Sequence, residues 1–427
     1  MNILITGASG FIGSHLIRAL QSRGHQITAC VRDPHRAERL FHGPTYIACD
    51  FSRDIQVAVW RPRLSGIDLV INAVGVIRET GRQRFGTLHR DAPIALFRAA
   101  AECGLQRVIQ ISALGADETA QSRYHLSKRA SDDYLAGLPL AGVILRPSIV
   151  YGPGAGSMAL FRALATLPWT PVIGDGMQRV QPIHIDDLVH VVVRCVENEQ
   201  PIRGRIDLPG AEAVSMFDLL DRLRQWLGLG KLRPLFVPYP MALRLAAWGG
   251  FLGDAPITRE AVEMLQRGNT GDPSLCVKRF GFAPRSLTQG LAETVATTAE
   301  RWHAGLYFLR PLLRISIALV WIIAGVTSAF LYPAQESYAL LATIGIQGAM
   351  APVMLYAAAG LDLVLGLATL FRIRLREVIY LQIALMLGYS LILTMALPEF
   401  WLHPFGPVSK NLPLLVATLI MLVLERR

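Results

Sequence analysis

Three side chains in the N-terminal half could together reduce or oxidise a carbonyl group. Tyr124 and Lys128 stand four residues apart, a spacing that places both on one face of a helix. A Tyr hydroxyl can supply the proton to a carbonyl oxygen when a nearby ammonium lowers its pKa. Ser112 ends a predicted strand and can hold that oxygen by a hydrogen bond. The pattern therefore predicts hydride transfer, with Tyr124 as acid/base, Lys128 as its activator and ribose ligand, and Ser112 as the positioning group.

A dinucleotide would have to lie beside these side chains, and the N-terminus provides a seat for its diphosphate. Gly7 and Gly10 let the backbone turn tightly after the first strand, and Gly13 lets the following helix pack against the sheet. The N-terminus of that helix offers amide groups to the phosphates. The predicted cofactor-binding residues of this turn are Thr6, Gly7, Ser9, Gly10, Phe11, Ile12 and Gly13.

The residues after the second predicted strand bear on the choice between NAD and NADP. Sites that prefer NAD usually place an acidic residue at this strand end. Here Arg32 occupies the strand end and Arg36 follows one turn later, and two guanidinium groups suit a 2′-phosphate. The sequence favours NADP(H), with NAD left open because Asp33 adjoins Arg32. Asp50, after the third strand, either accepts from the adenine amino group or is an ordinary turn carboxylate.

Residues 1–300 read as one α/β domain. Short apolar runs at 2–6, 26–31, 45–48, 68–73, 107–112 and 142–146 alternate with helical stretches and end at turn signals. This alternation predicts a doubly wound parallel Rossmann sheet. From about residue 151 the pattern loosens and prolines become frequent, which indicates a small substrate subdomain.

Residues 301–427 read as a membrane domain. Apolar segments at 312–332, 351–371, 378–397 and 411–424 predict an all-α bundle of four transmembrane helices, the fourth of them short. Arginines precede the first segment, separate the second from the third, and end the chain as Arg426-Arg427, whereas the other loops carry only Lys410. This asymmetry predicts a multi-pass protein of the inner or plasma membrane, with both termini and the Rossmann domain in the cytoplasm. Asp362 within the second segment is either functional or a helix–helix hydrogen-bonding group.

Composition excludes other classes of protein. The net charge is +10, but the 42 basic residues are scattered along the chain, so no nucleic-acid partner is expected. The five cysteines lie far apart without a Cys-x-x-Cys pair, which predicts reduced thiols and no metal site.

Taken in order, the motifs of residues 1–300 resemble those of the short-chain dehydrogenase/reductase superfamily. The resemblance rests on the glycine turn, Asn72-Ala73-Val74-Gly75, Ser112 and Tyr124-x-x-x-Lys128. Residues 146–154 and 182–188 resemble its extended and atypical branches, which include nucleotide-sugar epimerases and an accessory subunit of respiratory complex I. The resemblance implies further cofactor contacts at Asn72, Ala73, Val74, Gly75 and Pro147.

Two further statements follow from resemblance. Residues 310–314, Trp321, Gly325, Ser328, 401–407 and Lys410-Asn411 resemble the DoxX-like membrane family. Short-chain dehydrogenases often carry an Asn of a proton relay on the helix after the fourth strand, and we assign Asp91 to that position.

The sequence as a whole predicts a membrane-anchored NAD(P)(H)-dependent oxidoreductase. Its substrate would be a small carbonyl, alcohol or quinone-like molecule that is apolar or lipid-soluble, because the site would be tethered near the bilayer. Two alternatives stay open, which are a non-catalytic NAD(P)-binding accessory or sensor subunit of a membrane protein complex, and a nucleotide-sugar epimerase.

Overall fold

The computed structural model describes residues 1–40, 43–81, 83–251, 258–404 and 406–425, so Phe405, Arg426 and Arg427 of the sequence motifs lie outside the described residues. These residues form two compact units, Met1–Ala304 and Gly305–Arg427. The strands of the first unit are β1 (Asn2–Thr6), β2 (Gln26–Val31), β3 (Thr45–Ala48), β4 (Leu69–Asn72), β5 (Arg107–Ile111), β6 (Ala141–Pro147), β7 (Val150–Tyr151), β8 (Thr170–Ile173), β9 (Arg179–Val180), β10 (Ile183–His184), β11 (Gly204–Leu208), β12 (Val214–Ser215) and β13 (Pro234–Val237).

Seven of these strands form one parallel sheet in the order β11-β6-β5-β4-β1-β2-β3. The predicted doubly wound Rossmann sheet is therefore confirmed. Alternate residues of β1 enter opposite cores, because Ile3 and Ile5 pack on one face of the sheet and Leu4 on the other. The strand order reverses between β1 and β4, which is where an open parallel sheet of this kind binds its ligand.

Helices cover both faces of the sheet and build the smaller subdomain. They are α1 (Phe11–Gln21), α2 (Pro34–Leu40), α3 (Val57–Trp60), α4 (Ala92–Glu102), α5 (Arg123–Ala136), α6 (Ala159–Thr166), α7 (Ile185–Glu197), α8 (Met216–Trp226), α9 (Tyr239–Phe251), α10 (Arg259–Arg267), α11 (Ser274–Phe280) and α12 (Leu287–Ala292). A 3₁₀ turn at Arg61–Leu64 follows α3, and a π-helical turn at Gly86–Asp91 leads into α4. The two-stranded pairs β10-β7, β12-β9 and β13-β8 belong to the part of the chain after β6.

The second unit is helical and apolar on its outside. Its helices are α13 (Thr298–Val326), α14 (Ala334–Thr343), α15 (Met350–Phe371), α16 (Leu375–Ala396) and α17 (Asn411–Leu424), with a π-helical turn at Thr327–Leu331 and a 3₁₀ turn at Pro398–Trp401. Among the described helices, α13 with its π-helical turn, α15 and α16 are long and apolar enough to cross a membrane. Apolar side chains such as Ile323, Val364 and Leu391 are exposed, as a lipid-facing surface requires.

The fourth apolar segment forms a helix of 14 residues, which is short against the roughly 20 that cross the hydrocarbon core, as the sequence also indicated. The loop between the first two spans, which the sequence left unassigned, contains α14.

Close backbone approach and polar contacts hold the apolar helices together. A Cβ atom on Gly366 of α15 would lie 2.9 Å from the carbonyl oxygen of Ala318 in α13. Gln382 of α16 donates to the Thr369 hydroxyl of α15 at 2.9 Å. Both features are typical of helix packing in lipid. Asp362 makes no comparable bond, since its Oδ1 atom is buried and has no hydrogen-bond partner among the described residues.

Candidate active site

The glycine-rich turn between β1 and α1 forms a cradle with no room for a side chain. Gly7 has a left-handed backbone (φ 67°), and a Cβ atom there would lie 2.7 Å from the carbonyl oxygen of Ala73. A Cβ atom on Gly13 would lie 2.3 Å from the carbonyl oxygen of Gly7. Gly10 begins α1 without a side-chain cap, which leaves first-turn amide groups available to an anion. The cradle therefore fits the diphosphate of a dinucleotide.

Hydrogen bonds hold this turn against the end of β4. Thr6 donates to the Asn72 side chain at 2.6 Å, and Asn72 in turn donates to Gln110 at 2.7 Å. These three buried side chains link β1, β4 and β5 at the carboxyl edge of the sheet. The sequence-predicted cofactor residues fall around this edge, with Thr6, Gly7, Ser9, Gly10, Phe11, Ile12 and Gly13 on the turn and first turn of α1, and Asn72, Ala73, Val74 and Gly75 at the end of β4.

The predicted adenosine-binding residues follow β2 and β3. Arg32 and Arg36 are exposed beside the end of β2. The Asp33 carboxylate accepts from the backbone N–H of Arg36 at 3.0 Å, so it is engaged at the start of α2. Asp50 accepts from the backbone and hydroxyl of Ser52 at 3.0 and 2.7 Å. Burial would raise the pKa of Asp50, but the hydrogen bonds from Ser52 and the charges of Arg53 and Arg32 outweigh it and lower that pKa. The Arg53 guanidinium lies 3.7 Å from Asp50 Oδ2, and a contact of Asp50 with the adenine amino group stays a prediction.

Lys128 reaches from α5 to the ends of two central strands. Its ammonium donates to the carbonyl oxygens of Ile111 at 3.0 Å and Val74 at 3.3 Å. A Cβ atom on Gly75 would lie 3.2 Å from Lys128 Nζ, so the residue after Val74 also adjoins the ammonium. The structure therefore brings Lys128 together with the predicted cofactor segment after β4.

Ser112 bonds to a carboxylate that sequence reasoning missed. Its hydroxyl donates to Asp132, which is fully buried on α5. Burial raises the pKa of Asp132 to about 6, although the Ser112 hydrogen bond and the Lys128 charge act in the opposite direction. Burial also lowers the pKa of Lys128 to about 8. The signal was in the sequence, because Tyr124, Lys128 and Asp132 follow one another at intervals of four residues on a single helix.

Tyr124 lies among three other rings at the start of α5. Its ring centroid is 5.8 Å from that of Phe85, 5.4 Å from His89 and 5.2 Å from His125. Burial raises the pKa of Tyr124 to about 12. The pKa of Tyr124 is thus raised and not lowered as expected, because the loss of hydration and the Asp132 charge both disfavour the tyrosinate.

His89, and not Asp91, faces the predicted catalytic residues. The His89 Nε2 atom accepts from the backbone N–H of Val76 at 3.1 Å, so Nδ1 carries the proton and donates to Ser127 Oγ at 3.0 Å. Burial and the Lys128 charge lower the pKa of His89 to about 2. Asp91 instead accepts from Arg90 and is partly exposed. Both residues lie on the π-helical turn at Gly86–Asp91, and the relay position of Asp91 stays a prediction.

Two further contacts complete the surroundings. Pro147 ends β6, and its carbonyl accepts from the backbone N–H of Leu114 at 2.9 Å, which holds it beside the segment that follows Ser112. Glu260 of α10 accepts from the backbone N–H of Tyr124 at 2.8 Å. The smaller subdomain thus supplies an acceptor to the first turn of the helix that carries Tyr124 and Lys128.

Comparison with known proteins agrees with this division of the chain. Residues 3–206 match the NAD-dependent epimerase/dehydratase family, and residues 318–419 match the DoxX-like family. Ceramide reductase of Caulobacter vibrioides is 32% identical over 218 residues, which are 48% of this chain and 63% of that protein. The match therefore spans less than two thirds of that relative.

Other relatives have different functions. A 2-alkyl-3-oxoalkanoate reductase of Stenotrophomonas maltophilia is 26% identical over 70% of this chain and all of that protein. The NADH dehydrogenase [ubiquinone] 1 alpha subcomplex subunit 9 of Mus musculus is 24% identical over 61% of this chain and 70% of that protein.

A solved structure shares the fold of the first unit. The UDP-glucose 4-epimerase of Thermotoga maritima, solved with UDP-glucose, has a TM-score of 0.55 and 21% identity, and covers 72% of this chain and all of that structure. The two family matches agree with the resemblances read from the motifs, and the solved structure shows the fold of the first unit. The chain thus joins a segment that matches the NAD-dependent epimerase/dehydratase family to a C-terminal segment that matches the DoxX-like family.

Proposed function

We propose that the protein is a membrane-anchored NADP(H)-dependent oxidoreductase that acts on the carbonyl group of an apolar substrate. The observation that carries the proposal is the position of Lys128, whose ammonium bridges the ends of β4 and β5 on the helix that also holds Tyr124. A basic group at the topological switch point of the sheet, next to a glycine cradle, suits a nicotinamide ribose.

The chain's own residues supply the proton and hold the substrate oxygen. Bound NADPH would provide the hydride that adds to the carbonyl carbon. Tyr124 then gives its phenolic proton to the carbonyl oxygen, and with a pKa of about 12 it is fully protonated at neutral pH. Ser112 donates a hydrogen bond to the same oxygen after its hydroxyl turns from Asp132. Lys128 stabilises the tyrosinate that remains.

The residues after β2 support NADP(H) over NAD. Arg32 and Arg36 are both exposed there, and one oxygen of the Asp33 carboxylate accepts from the Arg36 backbone N–H. Guanidinium groups suit a 2′-phosphate. Replacing both arginines by serine is expected to weaken NADPH binding while NADH binding stays unchanged, measured by titrating the fluorescence of each cofactor. A larger loss for NADH would contradict this assignment.

The proposed substrate class rests on the membrane domain and on a relative. Because the chain has helices apolar enough to cross a membrane, its active site would be held near the bilayer, where apolar substrates dissolve. The ceramide reductase that is 32% identical to this chain is named for a lipid. We therefore propose a lipid-soluble ketone, aldehyde or quinone, delivered on the cytoplasmic side of the inner or plasma membrane.

The decisive experiment follows NADPH oxidation by the full chain in lipid nanodiscs with long-chain ketones and quinones. Tyr124→Phe is expected to lose turnover, because the phenol provides the proton. NADPH should bind normally, because Tyr124 is not part of the glycine-rich turn that holds the diphosphate. Tyr134→Phe on the same helix is the matched control. Tyr134 packs against the hydrophobic core that contains Leu4 and has no role in the proposed mechanism. Wild-type turnover by Tyr124→Phe would remove the mechanism. Tight NADPH binding without turnover of any carbonyl would favour a non-catalytic role as a subunit of a complex, and the mouse relative is named as such a subunit.

A further inference from the structure

Large apolar side chains lie exposed around α9 and β13 of the smaller subdomain. Leu235 of β13 is 52% exposed and shares a side of the β13–β8 pair with Val237, which packs against α9. Met241 and Leu245 of α9 are 52% and 58% exposed, and Trp169, which precedes β8, is 62% exposed. We call Trp169, Leu235, Met241 and Leu245 the α9–β13 face. Soluble surfaces rarely gather such side chains without a partner for them.

The local structure keeps this face turned outward. The helix α9 packs against α10 through Ala242 and Ala246, which share a buried cluster with Val262. Met241 and Leu245 are separated by one helical turn, so they project together from another side of α9. The strand β13 pairs only with β8 among the described strands, which leaves it at the edge of a two-stranded sheet.

Basic residues surround the apolar side chains. Lys231, Arg233 and Arg244 are exposed, and residues 227–251 contain no Asp or Glu. Arg233 lies beside Trp169, because its carbonyl oxygen accepts from the backbone N–H of Thr170 at 2.8 Å. Exposed Trp and aliphatic side chains together with Lys and Arg are the composition of segments that lie in the interface of an anionic membrane.

We propose that the α9–β13 face docks on the surface of an anionic lipid bilayer. The membrane helices of the same chain hold a bilayer within reach, so even weak binding by this face is favoured by a high effective concentration. The charge favours lipid over a second copy of the chain, because two such basic faces would repel each other.

Docking would bring the bilayer next to the proposed catalytic residues. The helix α9 packs against α10, and Glu260 of α10 contacts the backbone N–H of Tyr124. A lipid-soluble substrate could then pass from the bilayer to Tyr124 along α9 and α10. This consequence rests on the proposed function, whereas the docking itself does not.

Site-specific fluorescence in nanodiscs tests the docking without requiring turnover. Cys103 is the exposed native cysteine and the other four, Cys30, Cys49, Cys195 and Cys276, are buried. In a Cys103→Ser background, Met241→Cys and Leu245→Cys carry a polarity-sensitive fluorophore. Val277→Cys is the matched control, because Val277 is an exposed apolar residue of α11, which packs beside β11 of the large sheet.

Blue-shifted emission and quenching by brominated lipid are expected at positions 241 and 245 and not at 277. Both effects should strengthen when phosphatidylglycerol replaces part of the phosphatidylcholine. Arg244→Gln should lower the ratio of docked to undocked protein about fivefold, since one basic residue near an anionic surface contributes about that much. Probes at 241 and 245 that behave like the probe at 277 would overturn the proposal. The proposal would also be overturned if, in detergent, the emission at 241 and 245 shifted to the blue as the protein concentration increased. That result would identify a second copy of the chain as the partner.

Discussion

The substitution Gly13→Ala tests the cradle most directly. In the structure a Cβ atom at this position would lie 2.3 Å from the Gly7 carbonyl oxygen and 2.9 Å from the Ala8 Cα atom. Both neighbours are backbone atoms and cannot rotate away. Alanine is favoured over glycine within a helix by about 1 kcal/mol, so any loss comes from the contact and not from helix propensity.

The size of the effect follows from this overlap. Ordinary contacts begin at 3.4 Å, so α1 must move away from the turn by about 1 Å for the methyl group to fit. Its first-turn amide groups would then lie too far from a diphosphate seated on Gly7 and Gly10. Loss of one hydrogen bond to a charged group amounts to about 1.5–3 kcal/mol. We therefore expect NADPH to bind about 10- to 100-fold more weakly.

Fluorescence titration of NADPH with the full chain in detergent measures this change. Gly24→Ala is the control, because Gly24 lies just after the end of α1 and has a left-handed backbone (φ 82°), but a Cβ atom there meets no atom within 4 Å. It should lower the thermal midpoint, since left-handed alanine costs about 1–2 kcal/mol, and leave NADPH affinity unchanged. Unchanged affinity in Gly13→Ala would refute the assignment of the cradle to the diphosphate.

Three other side chains give separate predictions. Burial raises the pKa of Asp132 from 3.8 to about 6. The contribution of Asp132 to the free energy of unfolding is therefore greatest below pH 3.8, and it decreases as the pH rises from there through 6. Asp132→Asn cannot ionise at this position and should avoid up to about 3 kcal/mol of that loss. The thermal midpoint of Asp132→Asn, relative to that of the wild type, should therefore rise from acid to neutral pH. His89→Ala should lower the thermal midpoint, because its two buried hydrogen bonds are worth about 1 kcal/mol each. Glu260→Ala should reduce kcat with NADPH affinity unchanged, since the Tyr124 backbone loses its acceptor, whereas Glu263→Ala on the same helix should leave kcat at the wild-type value.

The parts that could be predicted from the sequence depend on local spacing. The glycine turn between a strand and a helix specifies the cradle, because the close contacts of Gly10 and Gly13 are with Gly7 and Ala8 of the same turn. The four-residue interval between Tyr124 and Lys128 places both on α5. The apolar segments of the membrane unit are visible from composition alone. Each of these signals lies within one element or at the junction of two.

The protonation of the site could not be predicted in the same way, because burial by distant elements decides it. Lys128 meets carbonyl oxygens from β4 and β5, and Asp132 meets Ser112, so neither group has its ordinary hydration. Burial lowers the pKa of Lys128 to about 8 and raises that of Asp132 to about 6. Both are charged together only between those values. Because Lys128 must be charged to stabilise the tyrosinate, turnover in a pH–rate profile should fall as the pH rises above about 8. Spacing identifies which groups share a helix face, whereas the packing of β4, β5 and α5 determines the pH range in which the pair stays charged.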